Sequence, residues 1–323
     1  MAIWPFGRSK TFLNSDDEAW QLAVWGWLLA RFGENRLRRA PLVTATRNFF
    51  PPTNASGHAR AEHIFACVQK LTELSDWPCD LIALPERPNT RVAKLGRVSI
   101  DSGHMPLGTF ERKNNIAVIS YDPGTIDNPA VLVATLVHEL AHYLLHSVPD
   151  HPPGEQLMEE FATDLATVYL GFGLFGANRA FNFSQHRDVY SQGWSTSGQG
   201  YLRERDWAFA LAVFCSLRGE KISSLKQWLK PYLYTDARNA AHYLAKNPQV
   251  LAKVSEYRTA AVFEGAGSKM SFSQLLSKGW ADGWVSIEGP DSPPPPVPFD
   301  SVPPGFEPYL YAYEQGRAVA GGK

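Results

Sequence analysis

Apolar side chains fill almost every position of residues 20–32, behind the polar run Ser15-Asp16-Asp17-Glu18 and ahead of Gly33. A capping serine, an acidic first turn and a closing glycine predict a helix there. Residues 59–74 predict a second one. Between them, residues 40–57 are broken by Pro41, Pro51 and Pro52 and carry Phe49 and Phe50, the pattern of an ordered connection anchored by aromatic rings. Residues 77–91, with Pro78, Pro85 and Pro88, read as an irregular lead-in. From residue 92 to 121 the pattern shortens to β-branched runs separated by glycine and asparagine, notably 97–100 and 116–121, which predicts a small sheet.

A turn follows at Asp122-Pro123-Gly124 and Asp127-Asn128-Pro129, and residues 130–145 are apolar at every helical phase, as in a helix buried on most sides. Further helices are expected at 156–170, 202–217, 224–232 and 237–244, with a Gly/Ser/Trp-rich loop at 182–200. The chain closes with a proline-rich stretch, residues 292–299, that favours polyproline II and is a candidate docking segment for a protein partner. These shifts divide the chain into a helical N-terminal region (1–79), a core with a helical extension (80–260) and a C-terminal region with the proline-rich tail (261–323).

Composition narrows the classes. With 44% hydrophobic and 12% aromatic residues in 323, there is ample material for a core. Lysine and arginine number 31 against 32 aspartates and glutamates, so no overall field draws in nucleic acid or an anionic membrane, and neither partner is expected. The cluster Arg36, Arg38, Arg39 falls at a helix end, where cations offset the macrodipole. Three scattered cysteines, Cys67, Cys79 and Cys215, give neither a disulfide framework nor a zinc knuckle. A reducing, cytoplasmic setting is therefore expected, and the first ten residues do not read as a secretory signal. No apolar stretch approaches the roughly 20 residues that a bilayer requires.

The chemistry lies in the run 134–146, which contains His138, Glu139, His142 and His146. Two imidazoles four residues apart share one helical face, one turn from each other, so both can bind one ion. Glu139 is rotated by about 100° from His138, away from the ligand plane but placed to reach water on an open metal position. That is the HExxH arrangement of a zinc site with a general base. A catalytic zinc needs a third protein ligand, for which His146, His151, Glu155, Glu159 and Glu160 are candidates. His146 has turned by about 80° from His138 and suits a capping role better. Glu160 is expected as the ligand, because Asp164 lies one turn further on the same face and can orient a zinc-bound imidazole; Glu159 is the rival, with Thr163 in that place. A metzincin is excluded, since positions 145 and 148 are Leu and Val.

The run His138-Glu-Leu-Ala-His142-Tyr-Leu-Leu-His146, behind an apolar stretch and ahead of a Glu-x-x-small-Asp helix, resembles the gluzincin metallopeptidases. Within them it looks most like the ImmA/IrrE group of bacterial cytoplasmic peptidases. The resemblance covers roughly residues 116–171 and departs from the group at Thr163, where alanine is usual. It implies an α+β fold with a zincin-like core, a small sheet and an HExxH helix, embedded in additional, mostly helical segments. It also implies a zinc-dependent peptidase (a hydrolase) acting on an intracellular protein or peptide, with the strand 116–121 as an edge against which a substrate lies. A non-catalytic, zinc-stabilised regulatory or binding module is the alternative. His186, Tyr190 and Tyr201, in or beside the Gly/Ser/Trp-rich loop, are candidate oxyanion donors.

Overall fold

The computed structural model of the chain describes residues 11–85, 108–113, 116–154, 158–184 and 202–264. The first half contributes helices α1 (Ser15–Phe32), α2 (Glu34–Arg39) and α3 (Gly57–Leu71), strands β1 (Cys79–Ala83), β2 (Gly108–Lys113) and β3 (Ile116–Tyr121), and helix α4 (Pro129–Leu145). Helices α5 (Glu159–Tyr169), α6 (Gly173–Ser184), α7 (Glu204–Arg218), α8 (Pro231–Lys246) and α9 (Pro248–Glu264) follow. The fold is mixed α+β, mostly helical with a three-stranded sheet. Among the described residues no helix is long and apolar enough to cross a membrane.

Two compact units divide these residues. The larger holds 11–44 with 150–264, and the smaller holds 45–149. In the larger unit α1 is buried along almost its whole length against α9 and α5, with Leu22, Val24, Trp25 and Leu28 fully inaccessible. Gly26 is what lets α9 come so close, since a Cβ there would stand 2.5 Å from the Cβ of Tyr257. At Gly171, where φ is +90°, an added Cβ would stand 2.0 Å from the Pro41 carbonyl oxygen. The residues after α2 cross α5's end there, and the Val43 amide donates to the Gly171 carbonyl. Ionisable groups also enter this interior. Asp17 and Asp206 are fully buried, and the half-exposed Arg203 bonds both.

In the smaller unit β3 runs between β1, to which it is parallel, and β2, to which it is antiparallel. Helix α4 lies against β2, β3 and α3. The sheet's inner strand is thus formed by the Ala-Val-Ile-Ser-Tyr run, all of it buried. Such a strand, apolar on successive residues, is what a position covered on both sides selects.

Several sequence expectations are corrected. The cap of α1 is Asn14, whose side-chain oxygen accepts from the amides of Asp16 and Asp17, so Ser15 is the first helical residue. The expected edge strand 116–121 is the central strand, bonded on both flanks, and cannot offer its backbone to a substrate. Its parallel partner β1 lies inside the segment expected to be irregular. Pro78 precedes that strand without interrupting its ladder, and the pairing it makes with residues 117–121 is too distant in sequence to leave a local pattern. Residues 224–232 are not one helix: a 3₁₀ turn, Ile222–Leu225, comes first, and α8 begins at Pro231, which lacks the amide that a helix interior needs. The expected strand at 97–100, the loop beyond residue 184 and the proline-rich tail lie outside the described residues.

A candidate metal centre

Helix α4 has Pro129 in its first turn and ends at the C-cap His146, whose amide donates to the His142 carbonyl at 2.9 Å. Every residue from Leu132 to Leu145 is buried. His138, Glu139 and His142 are 8%, 7% and 7% exposed, so one turn of a mostly apolar helix carries two imidazoles and a carboxylate out of contact with solvent. The imidazole ring centroids stand 4.8 Å apart at an interplanar angle of 82°. This is the i, i+4 adjacency that the spacing requires.

The rotation of α4 about its axis is fixed next to His142. Tyr143 donates its hydroxyl to the Pro78 carbonyl at 3.2 Å, meets the Trp77 ring edge-on at 4.9 Å and stacks on Phe110 at 5.5 Å. Phe110 also meets His146 at 5.7 Å. One side of the helix is thereby held by the start of β1 and by β2, and the neighbouring imidazole faces are set accordingly. These three aromatic partners escaped sequence reasoning, because nothing local links residues 77, 110 and 143.

Of the remaining predicted residues, His151, Glu159, Glu160 and Asp164 belong to the larger unit. Helix α5 opens with Glu159 and Glu160, the first buried and the second half-buried, where carboxylates offset the positive end of the helix. Helix α5 is seated on α1 through Phe161, which meets Trp20 edge-on at 6.3 Å, while the Trp20 indole donates to the Pro153 carbonyl at 2.7 Å. Ala162, Thr163 and Ala166 are fully buried small residues, the close packing that their size permits. Asp164 is 3% exposed, and its Oδ2 accepts the Leu202 amide at 3.0 Å. The Thr163 and Thr167 hydroxyls donate back to the carbonyls of Glu159 and Asp164, at 2.9 and 2.7 Å. Of the other ligand candidates, His151 is exposed, and Glu155 lies outside the described residues, as do His186, Tyr190 and Tyr201.

The donor chemistry of these groups fits zinc. Neutral imidazole and carboxylate are zinc ligands, and a pair of histidines one helical turn apart is a standard way to present two of them. Buried imidazole and carboxylate groups need polar or ionic partners, and a divalent ion is one that serves several at once. Against protein-family models, curated proteins and solved structures alike, the chain finds no match. Function is therefore read from the residues themselves.

Proposed function

We propose that this protein is a zinc-dependent peptidase with a zincin-like core, in which His138, His142 and Glu160 hold the metal and Glu139 is the general base. The observation that carries the proposal is the buried His138-Glu139-x-x-His142 turn of α4. A structural zinc site has four protein ligands and no use for a base, whereas two histidines, one further carboxylate and a glutamate in the same turn are the parts of a catalytic one. The non-catalytic module is the weaker reading for that reason.

Zinc bound there would supply Lewis acidity that makes water a nucleophile near pH 7 and polarises the scissile carbonyl. Glu139 takes the proton from the water as it adds to the carbonyl carbon, and passes it to the nitrogen as the C–N bond breaks. Burial of Glu139 in α4 restricts its rotamers, so its carboxylate is presented in a fixed direction. Asp164 is proposed to accept the distal N–H of a ligating imidazole and so fix its tautomer. The substrate is proposed to be a protein or peptide inside the cell.

The test is Glu139→Gln, which preserves shape and removes the base. Zinc content and thermal stability should be unchanged, while turnover falls by about 10² to 10⁴. Since turnover needs a substrate, the variant is expressed in its native host and its retained partners are compared with those of the wild type. Intact partners held by the variant and cleaved by the wild type support the peptidase. The same intact partners in both, with no product in either, favour the binding module.

A further inference from the structure

We propose that His142 and His146 form an outer metal position on α4, where an incoming zinc ion is captured before it passes one turn inward to His138 and His142. The proposal rests on the reading of His138 and His142 as ligands of the resident ion. All the residues it uses belong to the smaller unit.

Helix α4 carries its imidazoles on a ladder of equal steps. His138, His142 and His146 follow one another at intervals of four residues, and in each neighbouring pair a donor nitrogen of one ring lies within 4.8 Å of a donor nitrogen of the other. The ring centroids are 4.8 Å apart in the inner pair and 6.3 Å apart in the outer one. Each step of four residues turns a helix by about 40°, so the two pairs point in different directions. They define two positions with His142 in common.

The surroundings of the two positions differ. His138 and His142 are 8% and 7% exposed, which leaves a hydrated ion little direct access to the inner pair. His146 is more open, half-buried as a residue, with its Nε2 turned away from solvent. It is also the C-cap of α4, so the outer pair occupies the last turn, where the carbonyl end of a helix favours a cation. Phe110 on β2 meets the His146 ring at 5.7 Å and stacks on Tyr143 at 5.5 Å. A phenyl ring there limits the swing of the imidazole and offers an ion no ligand of its own. The residue after His138 is the base Glu139; the residue after His142 is Tyr143, whose hydroxyl is given to the Pro78 carbonyl at 3.2 Å. The outer position therefore has no base in its turn, and it serves binding alone.

Transfer along this ladder needs no free ion in the interior. His142 keeps its bond to the ion while His146 gives way to His138. One metal–nitrogen bond breaks as another forms, and no proton moves, because all three imidazoles ligate in the neutral form.

The experiment follows zinc uptake by the metal-free full chain, and its release to a chelator, by stopped flow with a fluorescent zinc indicator. Equilibrium affinity is measured by competition on the same samples. His146→Phe keeps a ring against Phe110 and removes the donor. It should slow uptake and release alike by about tenfold, since one barrier rises for both directions, and leave affinity unchanged. His146→Glu, which restores a zinc ligand without the ring, should recover part of both rates. His58→Ala, which removes an exposed histidine of the same unit, should change neither. In His138→Ala the outer pair should bind added zinc weakly enough to lose it on dialysis, and adding His146→Phe should abolish that binding. Circular dichroism checks that each variant folds, and His146→Leu replaces His146→Phe should the latter not. Wild-type rates in His146→Phe, or weak binding in His138→Ala that survives the added His146→Phe, would overturn the outer position alone. A loss of affinity in His146→Phe equal to that in His142→Ala would overturn it too, by making His146 a resident ligand. A wild type without zinc would overturn the reading of the metal centre as well.

Discussion

Two regions of this molecule bury carboxylates, and they do it with opposite means. At the start of α1, Asp17 and Glu18 are met by donors from far along the chain: Arg203 on Asp17, and the Tyr243 hydroxyl on Glu18 at 3.1 Å. In α4, Glu139 sits between two histidines of its own helical turn. The first arrangement uses a permanent cation and a phenol, neither of which takes or gives protons near neutral pH. The second places its carboxylate in the same helical turn as two imidazoles, a residue type that ligates metals. Burial alone therefore does not mark a reactive site. The identity of the neighbouring groups distinguishes the interlock from the proposed metal centre.

The contrast would be sharpened most by the third ligand. Glu160→Ala should lose zinc by orders of magnitude in affinity, since two histidines alone hold it poorly, while Glu159→Ala should keep it. Equilibrium dialysis on both variants decides between them, and the reverse result would move the ligand by one residue. A smaller effect is expected in the interlock. Asp206→Ala removes an α7 cap and one of the two carboxylates on Arg203, at a cost of about 2 kcal/mol, because the half-exposed guanidinium can turn to solvent. Urea unfolding checks this, and zinc content should not change. A loss of metal on Asp206→Ala comparable to that on Glu160→Ala would break the separation of the two regions.

The smallest effect is one of pH. Burial pushes the Glu18 carboxyl above its ordinary range, against the smaller opposing effects of the Tyr243 hydroxyl and Lys253. A raised folded-state value means that the folded chain binds the proton more tightly. Its contribution to stability is full below the unfolded value, near 4.5, and is lost as pH rises through the folded one. Glu18→Gln should remove that decline, so the difference in melting temperature between variant and wild type should grow with pH from about 4.5 upward. Asp17 shifts in the same direction: burial and the neighbouring Asp206 outweigh Arg203, which alone would lower it.

The same contrast explains what could be read from the sequence. The His138, Glu139 and His142 set is legible because its members are local, and helical geometry converts a spacing of four into adjacency. The helices at 15–32, 129–145 and 204–218 are legible for the same reason, as apolar runs with local signals at their ends. The interlock is not. Asp17 and Arg203 are 186 residues apart, and Leu202 and Asp164 are 38 apart, so only the folded backbone brings them together. The inner position of β3 was likewise hidden, since an apolar run of six residues does not reveal how many neighbours a strand has. The cap on α1 moved by one residue because Asn14 and Ser15 are both good caps, and the side chain reaching two amides prevails.

The central claim is that α4 presents a metal centre, and elemental analysis of the purified full chain tests it most directly. The account predicts about one zinc per chain in the wild type, retained in Glu139→Gln and lost in His138→Ala and in His142→Ala. Stoichiometric zinc in a His138→Ala/His142→Ala double variant, or none in a folded wild type supplied with zinc, would contradict it.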